Sequence, residues 1–123
     1  MEDRFAKDFL DKFDVKYVRQ FEAKDIGRFY DFYITDANCL IEVDGDFFHG
    51  YGLLHEDKSP MQKHNEWVDK QKDMWAAMHC IPLLRIWEHD INEHPEKVRK
   101  MLTEYIGKST DKKNKSDGKK KRH

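Results

Sequence analysis

The spacing of apolar residues divides the chain into stretches of helical and of strand period. In "EDRFAKDFLDKF", Phe5, Phe9, Leu10 and Phe13 recur at three and four residues, which predicts an amphipathic helix over residues 2–13. "VKYVRQF" (15–21), "RFYDFYI" (28–34) and "CLIEVD" (39–44) are rich in β-branched and aromatic residues and read as strands. "AKDIG" turns the chain at Gly27, and "TDAN" carries turn-favouring residues, so the three strands read as a meander. Ser59, Pro60 and Gln62 have the form of a capping box with proline in the first helical position, and they open a long helix. Along it Met61, His64, Trp67, Val68, Gln71, Met74, Trp75 and Met78 follow the helical period. Such a stripe is expected to face the core, with Lys63, Asp69, Lys70, Lys72 and Asp73 on the opposite, solvated face. "IPLLRIW" (81–87) is a fourth strand, which Pro82 can only start or edge. Pro95 opens a last helix with Val98, Met101, Leu102, Tyr105 and Ile106 inward and Gly107 as its C-cap. The element order is therefore α-β-β-β-α-β-α. Its strand–helix–strand passage implies a parallel crossover, so the expectation is an α/β sandwich on a mixed sheet.

Acids interrupt these strands. Alternation places Leu40, Glu42 and Asp44 on one face of the third strand and Cys39, Ile41 and Val43 on the other. Asp31 shares a face with Phe29 and Tyr33. Pairing through the short "TDAN" connection would set Asp31 beside Glu42, and two carboxylates that close repel and drive one pKa upward. A divalent cation removes the conflict, because Mg²⁺ takes one or two carboxylates together with phosphate oxygens of a substrate. On the residues alone, two readings stand: a solvated face of an antiparallel pair, or a metal site for phosphodiester hydrolysis. His49, just past the acids in "DGDFFHG", has the chemistry of a general base or proton shuttle. The histidines of "HGYGLLH" have no thiolate partner and make a poor zinc pair. "HNEW" lies inside the long helix without the hairpin of an HNH nuclease.

Composition bounds these readings. A chain of 123 residues with 38% charged, 38% hydrophobic and 13% aromatic residues fits a small globular domain with a charged surface. No run is long and apolar enough for a membrane span, and no leader precedes the first helix. Cys39 and Cys80 form no framework, so a reduced, cytoplasmic setting is expected. The net charge of −1 conceals an asymmetry: "KSTDKKNKSDGKKKRH" holds seven Lys and one Arg against two Asp. The expected organisation is one domain over residues 1–107 and a disordered basic tail over 108–123. The tail reads either as a solubilising extension or as an electrostatic arm for DNA or RNA.

Taken in order, "KYVRQF", "YDFYI", "LIEVDGDFFHG", the helix "NEWVDKQKDMWAAMHC" and "LLRIW" resemble the PD-(D/E)xK nuclease superfamily. Within it, the chain is similar to the branch of the very-short-patch mismatch repair endonucleases, small bacterial endonuclease-like domains and some phage homing endonucleases. The resemblance covers residues 2–102 and implies a three-layer, restriction-endonuclease-like core. By position it implies that Asp31 and Glu42 bind Mg²⁺, or Mn²⁺ in its place, with the Val43 carbonyl as a further ligand. It implies that His49 is the general base, that Glu2 is a helix-one acid reaching the metal site, and that Gln20 is a polar residue before the core strand. Tyr30 replaces the signature proline. Asp44, matched to a catalytic position, stands where most of the superfamily has lysine, so His49, Lys70, Lys72 or a second metal must serve instead. The zinc cysteines of the repair enzymes are absent.

The resemblance implies an intracellular, metal-dependent DNA endonuclease of phage homing or repair-like nicking type. Lys70 and Lys72, with Lys119, Lys120, Lys121 and Arg122, are then the expected contacts to nucleic acid. A double-strand cut would favour a homodimer, whereas nicking needs one site. The alternative is a degenerate nuclease fold kept as a nucleic-acid-binding module, for which Asp44 in place of lysine argues.

Overall fold

Left-handed backbone at Gly27 (φ 63°) and Asn38 (φ 51°) lets the first three strands follow one another through tight turns. A computed structural model describes residues 1–107. Its strands are β1 (Tyr17–Ala23), β2 (Arg28–Ile34), β3 (Cys39–Asp44) and β4 (Leu83–Trp87), side by side in that order in one sheet. β1–β2 and β2–β3 are antiparallel, and β3–β4 is parallel, so the sheet is mixed and the protein belongs to the α/β class. The basic segment 108–123, with Lys119, Lys120, Lys121 and Arg122, lies outside the described residues. No helix among the described residues is long and apolar enough to cross a membrane.

Helices cover both faces. α1 (Glu2–Asp8) packs on one of them, joined there by α3 (Glu88–Glu93) and α4 (Pro95–Leu102). Phe5 and Leu10 meet Phe32, Ile34, Ile41, Ile86, Val98 and Leu102 in the main core. α2 (Pro60–Met78) covers the other face, over a smaller cluster of Ala23, Tyr30, Leu40 and Ala76. β3 is central and all six of its residues are buried, Glu42 and Asp44 among them. α2 begins as its sequence requires: Ser59 Oγ accepts from the Gln62 N–H, and Gln62 Oε1 accepts from the Ser59 N–H.

Several elements depart from the periodic reading. The first helix stops at Asp8, and residues Leu10–Phe13 form a separate 3₁₀ turn ended by left-handed Asp14 (φ 53°). The C-terminal helix is divided into α3, α4 and a wide terminal turn, Thr103–Gly107, and Tyr105 is exposed rather than inward. α2 is the largest reversal. Met61, Trp67, Met74 and Met78 are exposed, and its buried residues are Gln62 and Ala76. Val68 and Trp75 of the expected stripe do face the sheet, but they share that side with Asn65, Asp69 and Lys72, which line a pocket against β3. Asp69 and Lys72 therefore lie on the inner side, not on a solvated outer face.

Strand alternation also breaks at one place. Phe32 and Ile34 face α1, and Tyr33 faces α2, yet Tyr30 faces α2 as well. In β1, Tyr17 packs on the α1 side while Phe21 packs on the α2 side, against the rings of Tyr33 and Trp75. Both strands turn over together between the pairs Arg19↔Phe32 and Phe21↔Tyr30. The turnover passes through Gln20, whose φ of 52° is left-handed, and through Asp31 opposite it. It is a local kink that keeps register, one residue opposite one, and so differs from a β-bulge, which inserts an extra residue in one strand.

Two substitutions check this layout. Ser59→Ala should lower the unfolding free energy by about 1 kcal/mol through loss of the cap. Met78→Ala should change it by less than about 0.5 kcal/mol, as at an ordinary surface position. Urea unfolding followed by circular dichroism measures both, and a large loss at Met78 would contradict its outward placement.

Candidate functional site

The kink in β2 creates the site. Pairing of β2 with β3 runs from Ile34↔Cys39 to Phe32↔Ile41 and then stops, so the strands part at Asp31. A buried backbone N–H left behind by a parting strand must find another acceptor. Here the Val43 N–H donates to Asp31 Oδ2 at 2.7 Å. The Asp31 carboxylate thus takes the place of a missing ladder bond and is held at the edge of the opening, in contact with the carboxyl of Glu42. Glu2, Asp31, Glu42, Val43, Asp44 and His49 line one pocket of about 260 Å³, together with Asn65, Val68, Asp69 and Lys72 of α2. Gln20 and Lys70 do not line it; both are exposed.

Glu42 is 5% exposed. Burial, reinforced by the charge of Asp31, pushes its pKa up to about 8, against the pull of Lys72. Lys72 Nζ, 14% exposed, donates to Glu42 Oε2 at 2.5 Å. The lysine sits above the Tyr30 ring at 5.3 Å, and the Tyr30 hydroxyl donates to the Lys72 carbonyl at 2.8 Å. This clasp ties α2 to β2 and holds an ammonium beside the acid pair. Glu2 is also raised, by burial first and then by Asp31.

The second half of the pocket is a network around Arg85 of β4. Parallel pairing sets Arg85 across from Glu42. Its guanidinium reaches Asp44 Oδ2 at 3.2 Å, Asp69 Oδ1 at 3.5 Å and Asp73 Oδ1 at 2.9 Å. It also donates to the Asp69 carbonyl at 3.2 Å. Burial alone would lower the Arg85 pKa, but Asp44, Asp69 and Asp73 outweigh it and the pKa rises. Asp44, 2% exposed, is raised chiefly by burial, and Arg85 and His49 restrain the rise. His49 Nδ1 lies 2.6 Å from Asp69 Oδ2, and its Nε2 is 3.6 Å from Asp44 Oδ1. The hydrogen bond with Asp69, and then the charge of Asp44, lift His49 above its ordinary pKa although burial opposes them.

The loop carrying His49 is fastened from α2. The Gln62 side chain donates to the Phe47 carbonyl, and Asn65 donates to the Phe48 carbonyl at 2.8 Å. Gly45 has a packing reason: a Cβ there would stand 3.2 Å from the Phe48 ring. Asp44, His49 and Asp69 each offer a ligand atom within 4.8 Å of the others, which is metal-site spacing. The Arg85 guanidinium already supplies positive charge to both of those carboxylates. Asp31, Glu42 and Val43 line the same pocket beside this group.

Three contributors are not singled out by the sequence: periodicity places Asp69 on the outer face of α2, and Arg85 and Asn65 stand inside "LLRIW" and "HNEW". The signal for Arg85 was a charged residue in the middle of an otherwise apolar strand beside buried acids.

Arg85→Met removes the main partner of a buried carboxylate and is expected to destabilise the fold by about 3–5 kcal/mol at neutral pH. The deficit should shrink as pH falls from 7 toward the ordinary carboxylate range, because burial raises the Asp44 pKa in the fold and loss of Arg85 leaves it raised further, so the folded carboxyl takes up its proton before the unfolded one does. Chemical denaturation of both proteins from pH 3 to pH 7 measures this; a deficit independent of pH would place the effect in packing instead. Compared with known proteins, the chain matches no family model, no curated protein and no solved structure.

Proposed function

We propose that the protein is a metal-dependent endonuclease that hydrolyses phosphodiester bonds in DNA. The observation that carries this reading is the contact of Asp31 with Glu42 where β2 parts from β3, in one pocket with the His49–Asp69 pair. A mixed sheet with helices on both faces supports the restriction-endonuclease-like, three-layer reading of the fold.

The donor set fits a hard divalent cation: two carboxylates, one of them raised to about 8 by burial and by the charge of the other, and a main-chain carbonyl. Asp31, Glu42 and the Val43 carbonyl would hold Mg²⁺, or Mn²⁺ in its place. Bound there, the ion offsets charge developing on the phosphate and on the leaving oxygen. Asp69 fixes the His49 ring through Nδ1, and Nε2, beside Asp44 Oδ1 at 3.6 Å, is the nitrogen that takes a proton from the attacking water. The water oxygen forms the new bond to phosphorus as the bond to the leaving oxygen breaks. Lys72 is the cation nearest the acid pair and would take the place of the missing motif lysine beside the phosphate. Asp44 is held by Arg85 and serves as a brace for His49 rather than as a ligand. One such pocket suffices to nick a strand.

One observation favours the second reading, a binding module without catalysis. Lys72 and Arg85 already neutralise Glu42 and Asp44 from within the chain, so the fold does not require a metal.

A supercoiled plasmid incubated with the protein should be nicked in Mg²⁺ or Mn²⁺ and not in EDTA. Asp31→Ala and Glu42→Ala should abolish nicking, and His49→Ala should slow it by roughly 10²–10⁴-fold. Cleavage that survives in either acid variant would defeat the site assignment, and no cleavage by the intact chain would favour the binding module. Mn²⁺ should also raise the melting temperature of the intact protein, by about 2.7 kcal/mol of stability at a hundred times its dissociation constant. That shift should vanish in Asp31→Ala.

A further inference from the structure

The outward side of α2 carries Trp67, Met74 and Met78, which are 56%, 64% and 78% exposed. They recur at i, i+7 and i+11, so they form one line of about 16 Å at 1.5 Å per residue. At its C-terminal half the line adjoins a shallow, open hollow lined by Asp73, Ala76, Ala77, Ile81, Leu83 and Arg85. Trp67 is held in place, with the Arg28 guanidinium 5.6 Å from its ring centre and His64 stacked on it. Arg28 is itself fixed by donation to Gln71 Oε1 at 2.9 Å.

Charge around this line is one-sided. Glu66 is occupied by His55 and Lys58, and Asp73 by Arg85, so the flanking acids are neutralised within the chain. Lys63 and Lys70 have no ion-pair partner among the described residues and stand beside the apolar line with Arg28.

We infer that the outer face of α2 is a docking surface for an acidic amphipathic helix of a partner protein, which lays its apolar side along Trp67, Met74 and Met78 and its carboxylates against Lys63, Lys70 and Arg28. Helix recognition of this kind uses anchors one and two turns apart, and methionines adapt to the partner's side chains. A second copy of this chain fits less well, because its same face would bring unpaired lysines against unpaired lysines. Residues 108–123 are themselves basic and are excluded by the same sign. Nucleic acid would use stacking faces, and the line offers one indole and two thioethers.

The test uses the full chain and two synthetic helical peptides with the same leucine seam, one flanked by glutamates and one by lysines. Fluorescence anisotropy should show saturable binding of the glutamate peptide, weakening with salt, and no binding of the lysine peptide. Met74→Glu with Met78→Glu should weaken it by about tenfold or more while circular dichroism stays unchanged. Lys63→Glu with Lys70→Glu should exchange the preference between the peptides. No saturable binding, or equal binding of both peptides, would overturn the inference. So would a dimer in sedimentation velocity that the Met variants dissolve, or plasmid binding that the Lys variants abolish while peptide binding persists.

Discussion

The parting of β2 from β3 at Asp31 is the constraint on which the site depends. A regular antiparallel ladder would have carried the pairing through the Asp31–Glu42 step and closed the gap. The kink at Gln20 and Asp31 ends the ladder, and the orphaned Val43 N–H is satisfied by the Asp31 carboxylate. A side chain that replaces a backbone acceptor in this way is placed by the strand itself. The opening, its depth beside β3 and the contact of two carboxyl groups follow from that exchange.

Acids on a buried strand then have to be balanced. Removing a charge from water costs several kcal/mol in a real protein, and the cost is met only by close opposite charge and hydrogen bonds. The fold brings one cation to each acid on β3: Lys72 from α2 to Glu42, and Arg85 from β4 to Asp44. The two are not equivalent. Arg85 meets three carboxylates in a fixed fork and has the character of a structural tie, whereas the Glu42 pKa stays near 8 in spite of Lys72. Burial and the charge of Asp31, set against Lys72, make the Asp31–Glu42 pair a place in the pocket where a second carboxylate charge is disfavoured.

The reversed orientation of α2 follows from the same arrangement. Amphipathicity normally points a helix's apolar stripe at the core. Here the inner side of α2 crosses the acid pocket for much of its length and meets apolar residues mainly near Ala76. Lys72, Asp69 and Asn65 therefore face inward, and Trp67, Met74 and Met78 face out. A rule based on hydrophobicity holds for Val68 and Trp75 and fails for Trp67, Met74 and Met78, because much of the surface under the helix is an acid-lined pocket rather than an apolar core.

Local chemistry determined much of this protein from the sequence alone. The capping box at Ser59, the turns at Gly27 and "TDAN", the period of the strands and the facing of Glu42 and Asp44 on β3 all depend on neighbours a few residues away. The short turn also sets the register that points Asp31 toward Glu42, although the kink that parts the strands there is not local. What only the tertiary structure decided rests on partners distant in the chain. Arg85 reaches Asp44 and Asp69 because β4 pairs in parallel beside β3, and Asp69 reaches His49 because α2 lies across the sheet with its polar side down. Periodicity reports how a helix divides polar from apolar residues, but not which of the two sides its neighbour will require.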